Sequence, residues 1–76
     1  MENEIIKFDY NPLRGRIREI LGSESLMASK LGIDKSTLSL KLNGKIGFSQ
    51  DEIYRSTTIL NIPLDLLHQY FFKILD

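Results

Sequence analysis

An all-α fold of five short helices is predicted by three observations. The stretch Ser23–Lys45 reads as two helices joined by a tight glycine turn. Apolar residues recur elsewhere at helical spacing. Asn, Ser, Pro and Gly punctuate the chain where helices should start and stop.

Taken in order, residues 4–9 (EIIKFD) carry β character through Ile5, Ile6 and Phe8 and read as a short strand or an extended arm. Asn11-Pro12 reads as an N-cap followed by proline at the first helical position. The first helix then runs to about Leu21, with Leu13, Ile17, Ile20 and Leu21 on one face, and Gly22 ends it. Ser23 caps a second helix over about Glu24–Leu31, with Met27, Ala28 and Leu31 inward. Ala28 is small, as two closely crossing helices need. Gly32 falls where that helix must stop and the backbone needs a positive φ.

Ile33 then returns to the core, and Asp34 caps a third helix over about Lys35–Leu42. The i,i+4 pair Leu38 and Leu42 seats it, and Asn43-Gly44 ends it. In this order and spacing, residues 23–45 form a helix-turn-helix unit. Residues 43–48 (NGKIGF) form a loop whose Ile46 and Phe48 are expected to plug the core. Ser49 and Glu52 form a capping box that opens a fourth helix through about Leu60, facing inward through Ile53, Thr57 and Leu60. Ile62-Pro63 starts a fifth helix through about Tyr70, with Pro63 at its first position. The tail YFFKIL can continue that helix or lie as a strand beside EIIKF; the terminal strand pair is the preferred alternative.

Seventy-six residues suit a single domain, 1–76, with a core just large enough to fold unaided. The absence of cysteine excludes disulfides and thiolate metal sites and fits a reducing, cytoplasmic setting. No apolar run approaches a membrane span, and ENEIIKFDY does not read as a signal peptide, so no membrane role is expected. Net charge is zero, where a DNA binder is expected to be basic. The charge is nonetheless polarised. Residues 11–22, with Arg14, Arg16 and Arg18 against Glu19, carry +2, and so do residues 23–45, with Lys30, Lys35, Lys41 and Lys45 against Glu24 and Asp34. The segments before and after carry −2 each.

The runs FDYNPLRGRIREILGS, LGIDKSTLSLKLNGKIGFSQDEI and IPLDLLHQYFF resemble small phage proteins of the Cro and repressor type from Gram-positive hosts, which have a lambda-repressor-like domain. The resemblance spans most of Phe8–Phe72, and TLSLKLNGK (Thr37–Lys45) carries most of its weight. It implies a lysis–lysogeny regulator in the bacterial cytoplasm. Such a regulator binds operator DNA in the Cro manner, or binds the phage repressor as a modulator of repression (an antirepressor). A homodimer is compatible with either.

In the DNA reading the third helix enters the major groove. Helical spacing places Lys35, Ser36, Ser39, Leu40 and Asn43 outward, opposite Leu38 and Leu42. Lys35 can reach a guanine edge or a phosphate, the serines either strand's base edges, and Leu40 thymine methyls. Lys41, Lys45 and Arg14 are candidates for phosphates. Three features oppose tight DNA binding. Glu24, at the start of the second helix, where this fold usually presents glutamine to DNA, repels phosphate, and Asp34 does the same at the start of the third. No arginine or glutamine points from the third helix to make a bidentate base contact. A mixed surface with an exposed leucine also suits a protein partner and can mask a repressor's basic face.

Catalysis is poorly supported by the sequence, and a small enzyme is a remote third reading. The single histidine, His68, reads as a surface or core-edge residue among Leu64, Leu67, Phe71 and Phe72, and there is no nucleophile, phosphate-loop or zinc motif. Asp51-Glu52 reads as a capping pair rather than a metal site. No cofactor or small-molecule substrate is expected. Tyr10, Tyr70, Phe71 and Phe72 read as core, or as a dimer or partner surface where exposed.

Overall fold

The computed structural model describes residues 6–75. Five helices follow one another: α1 (Asn11–Leu21), α2 (Glu24–Leu31), α3 (Lys35–Leu42), α4 (Gln50–Leu60) and, after a 3₁₀ turn at Leu64–Leu66, α5 (Leu67–Phe71). The fold is all-α, as the sequence predicts. The described residues contain no strand.

The terminal segments meet only at an isolated antiparallel bridge, Phe8 to Ile74. The Asp9 N–H donates to the Lys73 carbonyl at 2.7 Å and the Leu75 N–H to the Lys7 carbonyl at 2.8 Å. The expected strand pair is thus reduced to a clasp; Glu4 and Ile5, which the sequence adds to its first partner, lie outside the described residues.

Most helix limits follow from local chemistry. Ser23 is extended and its Oγ accepts the Leu26 N–H at 3.1 Å. Ser49 Oγ accepts the Glu52 N–H at 3.0 Å while Glu52 Oε1 accepts the Ser49 N–H at 2.9 Å, which completes the capping box. Gly22 and Gly32 end α1 and α2 in the left-handed region, at φ 88° and 75°. Asn61 does the same for α4 at φ 55°, as a side-chain amide tolerates. Arginines close two helix C-termini. Arg55 Nη1 donates to the Leu31 carbonyl at 3.2 Å, and Arg16 donates to the carbonyls of Leu60 and Asn61 at 2.9 and 2.7 Å.

Five local expectations need correction. Asn11 lies inside α1 rather than capping it, because the Asp9 side chain two residues earlier accepts the Asn11 N–H at 2.9 Å. Asp34 occupies the cap position of α3 with extended backbone, yet its carboxylate makes no capping bond and stands on the surface. Pro63 precedes α5 with ψ 140°, outside helical geometry; the chain first makes a 3₁₀ turn, so α5 is one short turn and a half. Ile20 is 37% exposed because the Leu13–Ile17 ridge already fills the inward stripe of α1. Ile46 is 43% exposed, and Phe48 alone plugs the core from that loop.

The core consists of Leu13, Ile17, Met27, Ala28, Leu31, Leu38, Leu42, Leu60, Ile62 and Phe71. Each large member contributes roughly 1.5–3 kcal/mol relative to an exposed position. Phe48 packs edge-on against Phe71 (centroids 5.2 Å) and Tyr10 (5.3 Å), which joins the α3–α4 loop to both ends of the chain. Ser56, fully buried, donates to the Glu52 carbonyl at 2.7 Å and so costs the core no unmet polar group.

Lys41 closes this region from the side. Its ammonium donates to the Gly47 carbonyl at 2.8 Å and lies 3.0 Å from Glu52 Oε1, with the two side chains only 10% and 13% exposed. It also lies 5.7 Å from the Phe48 ring centroid. One side chain thereby ties the end of α3, the loop and the first turn of α4. Burial by itself raises the Glu52 carboxyl, but the Ser49 N–H bond and the Lys41 ammonium outweigh it and hold it below its ordinary value of 4.5.

Two outcomes follow for stability. Gly32→Val should cost about 1–2 kcal/mol and lower the melting temperature by several degrees, through backbone strain alone, since a Cβ there meets nothing within 4 Å. An unchanged melting temperature would show that the turn tolerates another conformation. The folded Glu52 value lies below the unfolded one, so its contribution is complete above about 4.5 and is lost as pH falls through the folded value. Glu52→Gln should therefore destabilise by about 2–3 kcal/mol near neutral pH, with the gap to wild type narrowing as the pH falls below 4.5. Parallel melting curves that keep a constant gap would disprove the linkage.

Candidate functional site

The outward side of α3 is built by the same spacing that seats Leu38 and Leu42 in the core. Lys35 and Ser36 are exposed in its first turn, Ser39 is half-buried, and Leu40 is 46% exposed. Asp34 stands exposed before this face, and Asn43 and Lys45 are exposed after it. These seven residues lie on one helix and its two ends. Glu24, half-buried, opens α2.

Lys41 does not belong to this surface. Its helical position points it toward α4, where Glu52 and Gly47 take its charge and its hydrogen bond. Helical spacing alone does not show this, because a lysine beside a core leucine reads as a surface residue unless the partner carboxylate, eleven residues on, is seen to approach it. Burial of Lys41 removes one cation from the expected phosphate contacts.

Arg14 is similarly committed. Its Nη1 donates to Glu24 Oε2 at 3.0 Å and its Nη2 to Asn43 Oδ1 at 2.9 Å. Asn43 in turn donates through Nδ2 to Ser39 Oγ at 3.4 Å, a longer contact. A polar chain thus runs Glu24–Arg14–Asn43–Ser39 across α2, α1 and α3. Asn43 serves this chain; the left-handed residue that ends the helix is Gly44, at φ 75°. Glu24 therefore carries a partnered charge rather than the bare one the sequence suggests. The ion pair spans ten positions and two helices, and nothing in the periodicity of either helix announces it.

The face that results is mixed in charge. Lys35 and Lys45 make no ion pair among the described residues, Asp34 makes none either, and Leu40 lies between them in sequence. Leu26 on α2, 41% exposed, is a second apolar side chain that the sequence reading leaves unassigned. Phe71 is core and Tyr10 and Tyr70 pack against it, whereas Phe72 is partly exposed. His68 is exposed beside an open groove of about 690 Å³ whose walls include Pro12, Gly15, Arg16 and Phe72. Among the described residues no helix is long and apolar enough to cross a membrane, and no group of three His, Cys, Asp or Glu side chains could hold a metal ion.

Comparison with known proteins adds to this geometry. The chain is similar to the solution structure of the modulator of repression (MOR) of the temperate bacteriophage TP901-1 from Lactococcus lactis, at 35% identity and a TM-score of 0.75. The match covers 87% of this chain and 89% of that one. No curated protein matches the chain. A family profile described as "Protein of unknown function (DUF739)" matches residues 6–74, nearly all of the chain. The chain belongs to the DUF739 family.

Proposed function

We propose that the protein is a regulator of a temperate phage's lysis–lysogeny switch that binds the phage repressor and changes its hold on operator DNA. The observation that carries this reading is the state of the cations around α3. Arg14 and Lys41, which a DNA-binding face would direct at phosphates, are paired with Glu24 and Glu52. Charge is thereby spent inside the protein, and the exposed surface keeps an apolar centre with ions of both signs around it. Such a surface suits a protein partner: Leu40 supplies an apolar anchor, and Asp34 meets a basic surface such as a repressor presents to DNA. The similarity to a phage modulator of repression supports the same reading. The action is binding alone, without catalysis.

Direct operator binding in the Cro manner is the second reading. The exposed Lys35 and Lys45, unpaired among the described residues, favour it. Fluorescence anisotropy on labelled operator DNA separates the two, with this protein alone, the phage repressor alone, and both together at moderate salt. The modulator reading expects no specific complex from this protein alone and a shifted repressor isotherm on its addition. Specific operator binding by this protein alone, with the repressor isotherm unmoved, would overturn it.

The contact face yields its own prediction. Leu40→Glu and Ser39→Glu should each weaken repressor binding by about tenfold or more, with little change in melting temperature, since both side chains reach solvent. Unaltered binding by both variants would move the interface off α3.

A further inference from the structure

The Glu24–Arg14–Asn43 contact does more than join three helices. A guanidinium fork suits a carboxylate and a phosphate equally, since both present two oxygens to its paired N–H groups. Here the fork is filled from within the chain. Glu24 Oε2 accepts from Nη1 at 3.0 Å, and Asn43 Oδ1 accepts from Nη2 at 2.9 Å. The Arg14 side chain is nevertheless 30% exposed and Glu24 25%, so an outside anion can approach the same guanidinium. Through Asn43 and Ser39 the cation is linked to the outward side of α3. Asn43 is neutral, so it orients the guanidinium without cancelling its charge.

We propose that Glu24 is a specificity residue that keeps this surface from binding nucleic acid, by occupying the Arg14 guanidinium as an internal stand-in for a phosphate. The assignment deepens the reading of α3 as a protein-contact face and rests on it. Protein partners are then selected by the apolar and mixed-charge surface, while the cation that would give sequence-independent affinity for DNA is withheld. Removing the carboxylate charge leaves Arg14 held by Asn43, with a fork that a backbone phosphate can enter.

The test titrates a random-sequence duplex of about 20 base pairs with wild type, Glu24→Gln, Glu24→Asp, and Arg14→Gln combined with Glu24→Gln, across a salt series. Circular dichroism confirms that each variant is folded. Glu24→Gln should bind roughly tenfold more tightly than wild type at low salt, and its salt dependence should steepen by about one phosphate contact. Glu24→Asp keeps the charge and should stay at the wild-type level. The double variant should return to that level, because the released cation is gone. A purely structural role for Glu24 would not change the salt slope.

Equal affinity and slope for wild type and Glu24→Gln overturns the proposal. So does a double variant that binds as tightly as Glu24→Gln, since another cation would then be responsible. Wild type titrated against the phage repressor in parallel tests the modulator reading separately. Failure there leaves the DNA titrations to decide the role of Glu24 by themselves.

Discussion

The Lys41–Glu52 ion pair is the constraint on which the arrangement of the second half depends. Two of the five helices, α3 and α4, and the Phe48 plug meet at it. Without it, the loop between α3 and α4 would have the Phe48 ring as its main anchor, and the Gly47 carbonyl would lose its ammonium donor. The pair is costly to assemble, because two charges leave most of their water. The geometry offsets that cost. Glu52 Oε1 receives the Ser49 N–H as well as the lysine, and the same carboxylate completes the capping box of α4. A single side chain thus meets a local requirement at a helix start and a non-local one across the loop. That double use is what makes a lysine at this position compatible with a small core, ten buried apolar side chains among the described residues.

Three arginines follow the same pattern of internal use. Arg16 closes the end of α4 and Arg55 the end of α2, each on carbonyls that lack a helical partner. Arg14 links α1 to the start of α2 and the end of α3. A small domain has few apolar contacts with which to fix five short helices, and long basic side chains bridge their termini at modest entropic cost. The consequence is electrostatic. Seven of the ten basic residues lie within 11–45, yet Arg14 and Lys41 are paired with carboxylates, so the external field around α3 is weaker than the residue count suggests.

The helix limits were legible because caps and stops are local. Ser23, Gly32, Ser49 with Glu52, and Gly22 act within five residues of themselves, and the spans of α2 and α3 are those the sequence predicts. The outward positions Lys35, Ser36 and Leu40 were legible for a similar reason, since the 3.6-residue period places them opposite Leu38 and Leu42. The misses at Asn11, Asp34 and Pro63 are local, a matter of which residue caps and where the 3₁₀ turn falls; those at the candidate site and in the loop are non-local. Lys41 meets a carboxylate on another helix, Arg14 meets Glu24 on another helix, and Ile46 loses its place in the core to Phe48, whose ring finds Tyr10 and Phe71. Periodicity assigns a residue to a side of its own helix but cannot say what approaches that side. The terminal clasp is an intermediate case: apolar runs at both ends signalled a pairing, and the described residues show it as one bridge.

The same helical scaffold can in principle face DNA or protein, and the choice does not require a different fold. It requires only that cations near α3 be exposed or spent. In this chain Glu24 sits in the first turn of α2, where the helix dipole favours a carboxylate whether or not Arg14 is present. That carboxylate is thus stabilised by its own helix before it takes the arginine, which makes it a harder competitor for an incoming phosphate to displace. A carboxylate placed elsewhere on the surface would screen Arg14 only loosely. The position of Glu24, more than the net charge of zero, is therefore what sets the character of this face.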